Sequence, residues 1–182
     1  NEKNNQSFIF YIIIATLPAV FSGLLLKDYF LKIFDNVHLV GFALCSTGFI
    51  LILSKRFKNN QKAITFSSSI AVGIAQAIAI IPGISRSGST ISMCMYLGIP
   101  PKEAARFSFL LSIPVILGAS ILGFLEMESN NTFNYLTLTV AITTSFVTGV
   151  LALKILLKIL ETGRFYFFGF YCLVAGVSTI FI

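Results

Sequence analysis

Apolar residues fill this chain in long uncharged runs separated by short polar stretches, and one run is broken from within. Phe8 to Leu26 is the first run, long enough to cross a bilayer, with Pro18 inside it to kink a helix. His38 to about Ser54 is the second. Ile64 to Ile81 then leads into a polar patch, and Ile91 to Ile99 leads away from it. That second arm is too short to cross the hydrocarbon core, so the two arms predict a re-entrant hairpin over about residues 64–99. Pro100-Pro101 marks the return, Pro101 suiting the first turn of a helix that runs through Pro114 to about Leu125. Phe133–Leu153 and Phe165–Ile182 are the last two runs. The pattern predicts an all-α, polytopic membrane protein: about five transmembrane helices plus one re-entrant helical hairpin, in a single domain over residues 1–182.

Charge settles the expected topology. The Ser54–Lys62 loop carries Lys55, Arg56, Lys58 and Lys62 with no acid. Lys102 and Arg106 flank Glu103, and Lys154, Lys158 and Arg164 face only Glu161. The other loops are neutral or acidic: Lys27 and Lys32 balance Asp28 and Asp35, and Glu126 and Glu128 follow Leu125. The positive-inside rule places the three basic loops in the cytoplasm. The alternation holds only if the hairpin leaves the membrane on the side it entered; a straight crossing would put Lys102 and Arg106 outside.

Composition agrees. Of 182 residues, 56% are hydrophobic and 11% charged, against roughly 25% charged in a soluble domain. The net charge of +6 is spread over short loops and forms no stripe, which argues against nucleic acid. Cys45, Cys94 and Cys172 lie far apart in apolar segments, with the spacing of small core residues and no metal-binding pattern. His38, alone at a helix end, reads as a surface or capping residue. The opening Asn1-Glu2-Lys3-Asn4-Asn5 reads as a polar loop, and the chain as the C-terminal part of a longer protein.

The chemistry gathers in the patch between the arms, Ile81-Pro82-Gly83-Ile84-Ser85-Arg86-Ser87-Gly88-Ser89-Thr90, with four hydroxyls, two glycines and a guanidinium. An ionisable residue at membrane depth marks a functional site. The glycines permit tight turns and close approach of backbone to a ligand. A helix is expected after Gly88, with Ser87 or Ser89 as its N-cap. Free N–H groups, hydroxyls and an arginine at a helix start suit phosphate. Gly83-x-x-x-x-Gly88-Ser89-Thr90 is one residue from a nucleotide-binding P-loop, but Ser89 stands where that motif needs Lys, so ATP binding is rejected.

The run from Gln76 through Pro82-Gly83-Ile84-Ser85-Arg86-Ser87-Gly88-Ser89-Thr90, followed by Ala104-Ala105-Arg106-Phe107-Ser108 up to Pro114, resembles the undecaprenyl-diphosphate phosphatase (bacitracin-resistance) family. Ala15-Thr16-Leu17-Pro18 also looks like the family's middle helix. The resemblance implies two inverted repeats, each with a re-entrant hairpin, of which this chain holds the second. It implies removal of the terminal phosphate of undecaprenyl diphosphate, which regenerates the lipid carrier for cell-wall sugars, in the bacterial inner membrane. Arg86 would then hold the diphosphate and stabilise its transition state, with Ser85 and Thr90 as further catalytic residues. Gly83, Ser87, Gly88, Ser89 and Gln76 would bind the diphosphate. A divalent cation (Mg²⁺ or Ca²⁺) could bridge the substrate, its ligands expected mainly in a preceding repeat; that repeat also carries the family's Glu-x-x-x-Glu motif, Ser and His, which have no counterpart here. Membrane lipids and the polyprenyl diphosphate are the implied partners, and a homodimer is compatible with them.

Two other functions fit less well. A second class of lipid phosphatase needs His at position 92, where Ser92 stands. A transporter or flippase for phosphate or an anionic lipid would also place broken helices at the midplane.

Overall fold

The computed structural model describes residues 2–25, 33, 36–56, 61–125 and 135–181, with side chains from Gln6 onward. The expectations for Lys27, Asp28, Lys32, Asp35, Lys58, Glu126 and Glu128 lie outside the described residues. Within them the regular structure is helical throughout: α1 (Glu2–Leu25), α2 (Val37–Leu53) with a 3₁₀ turn at Ser54–Arg56, α3 (Phe66–Ile78), α4 (Arg86–Tyr96), α5 (Pro101–Leu125), α6 (Tyr135–Glu161) and α7 (Phe167–Ile180). The chain is an all-α polytopic membrane protein.

Among the described residues four helices are long and apolar enough to cross a bilayer: Gln6–Leu25, Val37–Arg56, Pro101–Leu125 and Tyr135–Glu161. The fifth expected span forms a shorter helix. Phe165 and Tyr166 close a turn in front of α7, whose 14 residues rise about 21 Å against a hydrocarbon core of roughly 30 Å. Large apolar side chains, among them Phe21, Phe49, Ile121, Phe146 and Tyr171, point outward. Such a surface matches a hydrocarbon surrounding.

The two arms between α2 and α5 form the expected hairpin. Thr65 and Ser68 start α3 with a reciprocal capping box. α3 has 13 residues and α4 has 11, about 20 and 16 Å of rise, so neither arm can cross the core alone. The base is tied shut by the Lys62 N–H donating to the Gly98 carbonyl at 3.1 Å. Entry and exit of the hairpin therefore lie side by side.

Three packing seams hold the hairpin. α3 lies against α1 at Gly73, where a Cβ would come within 2.7 Å of the Ala15 carbonyl oxygen and 3.1 Å of Pro18. α4 meets α5 through Ile91, Cys94, Phe107 and Leu111, all buried. α2 is braced from outside by α7 through Gly41 with Gly176 and Gly48 with Gly169, so close that any Cβ would fall within 3.0 Å of the facing carbonyl. Small residues at such spacing let membrane helices touch backbone to backbone. At the same seam His38 Nδ1 lies 3.1 Å from the Ile180 carbonyl, a capping position.

The closed base yields a topological expectation. In a background lacking the native cysteines, single cysteines at Lys62 and Lys102 should react with an impermeant thiol reagent from the same face of the membrane, and not from outside intact cells. Labelling from opposite faces would show that the hairpin crosses.

Candidate functional site

The polar patch is a turn at the tip of the hairpin. The Ile81 and Ile84 amides donate to the Ile78 and Ile81 carbonyls, and Gly83 reverses the chain at φ +92°. A side chain at Gly83 would be strained by that φ and would strike the Val40 carbonyl oxygen at 2.5 Å and Ala43 Cβ at 2.9 Å. The turn is thus pressed flat against α2. From α2, Thr47 reaches across it: its buried Oγ1 donates to the Gly83 carbonyl at 3.1 Å and accepts from the Ser85 N–H at 3.0 Å.

Helix α4 starts earlier than its sequence suggests. Ser85, not Ser87 or Ser89, is the N-cap, with extended backbone (φ −68°, ψ 114°) and Oγ accepting from the Gly88 N–H at 3.1 Å. Thr47 pairs the Gly83 carbonyl and the Ser85 N–H, and helical pairing begins at once beyond them, with the Ser85 carbonyl accepting from the Ser89 N–H at 2.9 Å. Gly88 accordingly sits in the first helical turn and shows no positive φ. A Cβ there would meet Ser85 Oγ at 2.9 Å and Leu51 Cδ2 at 3.3 Å, both side-chain atoms. The first-turn amides of Arg86 and Ser87 have no acceptor within the helix.

The Arg86 side chain runs the other way, into the space between α1, α3 and α5. Its Nε donates to Gln76 Oε1 at 2.8 Å, and Nη2 to the Leu111 carbonyl at 3.3 Å. Gln76, only 1% exposed, passes the chain on: its Nε2 donates to the Ala15 carbonyl at 3.4 Å. Both terminal acceptors stand three residues before a proline, in Ala15-Thr16-Leu17-Pro18 and Leu111-Ser112-Ile113-Pro114. Proline cannot donate to the carbonyl four residues back, here that of Ile14 or Leu110, one residue before each acceptor, and so opens the turn that contains the acceptor. The intervening hydroxyls fold back on their own helices, Thr16 onto Ile12 at 2.8 Å and Ser112 onto Phe109 at 2.6 Å. Two proline-loosened helices thus supply backbone oxygen at membrane depth to one Gln–Arg pair.

The structure separates the remaining candidates. Thr90 is fully buried, its Oγ1 2.6 Å from Ser108 Oγ and 2.9 Å from the Arg86 carbonyl, so its hydroxyl joins α4 to α5 and faces no open space. Ser89 is turned to the opposite side, onto an apolar cleft of about 420 Å³ lined by Ile50, Leu53, Ile78 and Tyr96. Gln76 has both ends of its amide on protein partners. Ser85, Arg86, Ser87, Gly83 and Gly88 remain together at the tip. A polar cavity of about 800 Å³, with Lys62, Glu103 and Arg106, belongs to the base of the hairpin and not to this tip. Thr47 and the two carbonyls were not anticipated; the Ser46-Thr47 pair inside the mostly apolar Val37–Leu53 run was the available signal for the first. Among the described residues no three His, Cys, Asp or Glu side chains gather to hold a metal ion. The tip offers donors and a cation, a set suited to an anion.

A short, cap-started helix carrying a guanidinium at the tip of a membrane hairpin, framed by proline-bearing spans, defines a polytopic membrane protein with a polar, cationic candidate site. The family described as bacitracin resistance protein BacA matches residues 1–178, and the chain belongs to it. It is similar to undecaprenyl-diphosphatase 1 of Bacillus cereus, at 38% identity over 184 residues, covering 99% of this chain and 68% of that relative. The undecaprenyl-diphosphatase of Halothermothrix orenii is 38% identical over 98% of this chain and 71% of its own length. That of Korarchaeum cryptofilum is 39% identical over 93% and 64%.

The two glycines of the tip should respond unequally. Gly83→Ala should lower stability by more than the ~1–2 kcal/mol of left-handed backbone strain alone, because the Val40 backbone cannot yield. Gly88→Ala, opposed only by side-chain atoms, should cost less. Thermal unfolding of the detergent-solubilised variants checks the order, and a larger loss for Gly88→Ala would contradict it.

Proposed function

We propose that this chain forms part of an undecaprenyl-diphosphatase, a multi-pass membrane hydrolase that cleaves undecaprenyl diphosphate to undecaprenyl phosphate and inorganic phosphate, returning the lipid carrier to cell-wall synthesis. The observation that carries the assignment is Arg86 at the first turn of α4, its Nε held by a buried Gln76 and its helix start capped by Ser85. Water attacks the terminal phosphorus, the phosphoric anhydride bond breaks, and the polyprenyl phosphate leaves with the bridging oxygen. Phosphoryl transfer of this kind depends mainly on positioning and on neutralising charge at the transferred group's oxygens.

Within this scheme the Arg86 guanidinium binds phosphate oxygens through the N–H groups not held by Gln76, and the Leu111 contact at 3.3 Å is long enough to be exchanged for a phosphate. The Arg86 and Ser87 amides and the Ser87 hydroxyl add donors from the helix start. Gly83 lets the turn lie flat, and Ser85 fixes the helix origin. Gln76 and Thr90 act on the protein side, one orienting the arginine and the other fastening α4 to α5. A divalent cation bridging the diphosphate would need its carboxylate ligands from outside the described residues. The bacterial inner membrane is the proposed location.

Lysine should not replace Arg86. It keeps the charge but loses the planar fork that meets Gln76 with one N–H and phosphate with others. Arg86→Lys should lower kcat by on the order of 10²- to 10³-fold, the scale of one lost transition-state donor. The assay is release of inorganic phosphate from a polyprenyl diphosphate by purified full-length protein of matched folding. Turnover close to the unaltered protein's would mean a point charge suffices; no release by the unaltered protein would favour a lipid binder or transporter.

A further inference from the structure

We propose that Thr47 is a positioning residue of the site, setting the height of the hairpin tip and with it the origin of α4 and the aim of Arg86. The proposal rests on the phosphatase reading for its consequence in catalysis, but its geometry stands independently. Thr47 belongs to α2, 36 positions before Gly83 and 38 before Ser85, yet a single hydroxyl engages both. It is 1% exposed, so no water competes for either bond.

A hydroxyl has one proton and two lone pairs. Here the proton goes to the Gly83 carbonyl and a lone pair receives the Ser85 N–H. These groups flank Ile84 in the segment where the chain passes from turn to helix. Ser85 can cap α4 only in its extended conformation, and the Thr47 bond holds its amide in place while its own Oγ turns to Gly88. Arg86 is the next residue. A shift of the Ser85 backbone therefore moves the root of the guanidinium and the Ser87 amide together. The contact at Gly83 completes the device: the turn abuts Val40 and Ala43 of the same helix, so α2 acts as the floor on which the tip rests.

Thr47 is itself 1% exposed and bonds only the backbone of the tip, which distinguishes positioning from contact. The test compares Thr47→Val, which preserves shape and removes both hydrogen bonds, with Thr47→Ser, which keeps the hydroxyl. Thr47→Val should lower kcat at least about tenfold with a smaller change in KM, since misplacing a reacting group by about 1 Å costs on the order of a hundredfold. Thr47→Ser should recover most of that loss. In parallel, hydrogen exchange of the 83–88 amides should quicken in Thr47→Val and return toward the unaltered rate in Thr47→Ser. If Thr47→Val does not fold, Thr47→Ala, which leaves space and forces no clash, takes its place.

Unchanged kcat in the folded fraction, with only a lowered unfolding temperature, would reduce Thr47 to a packing residue and overturn the proposal. So would unchanged exchange at the tip. If the unaltered full-length protein releases no phosphate, the phosphatase reading fails by itself, and the exchange comparison still decides whether Thr47 holds the tip.

Discussion

A guanidinium at membrane depth dictates much of this structure. Arg86 cannot shed its proton and has no carboxylate beside it among the described residues. Its hydrogen bonds go to an amide oxygen and a backbone carbonyl, both neutral. Neutral acceptors satisfy the N–H groups without cancelling the charge, so the guanidinium stays uncompensated by its neighbours. Backbone carbonyls in an unbroken helix keep a second lone pair but lie close against their own N–H partners. Prolines in α1 and α5 loosen two such helices at the level where acceptors are needed, and Gly73 lets α3 approach closely enough for Gln76 to reach one of them. Arginine, glutamine, two prolines and one glycine form a single physical solution.

The hairpin answers a second constraint, that irregular backbone within a membrane must find partners inside the protein. The turn at residues 79–85 meets this with its own carbonyls at Ile78 and Ile81 and with the Thr47 hydroxyl. The base meets it with the Lys62–Gly98 bond. Between these points the short arms present opposite faces to different neighbours. α1 and α5 receive the polar face with Gln76 and Arg86, while the side near α2 opens on the apolar cleft at Ser89.

Much of this was legible in the residues. Uninterrupted apolar runs gave the long helices, because a bilayer demands length and hydrophobicity and little else. The brevity of Ile91–Ile99 gave the hairpin, and the density of hydroxyls and glycines around Arg86 located its tip. The direction of side chains was not legible. Thr90 and Ser89 sit beside Ser87 in sequence, yet helix rotation sends one into the α4–α5 seam and the other to the opposite side. The cap fell on Ser85, whose N–H is held by a threonine on another helix, and no local pattern carries that contact. Gln76 was recognised by position, but only the fold shows that both ends of its amide are already taken.

The glycine seam between α2 and α7 bears on how the protein matures during synthesis. Gly48, adjacent to Thr47, rests on Gly169, a residue made far later than the hairpin. When α3, α4 and α5 have entered the membrane, α2 still lacks the helix that braces its outer side. Membrane helices insert first and pack afterwards, so the tip can form before its floor is secured. The ribosome therefore delivers the hairpin early and the buttress of its floor late, so the final seating of the tip waits on a helix far from it in sequence.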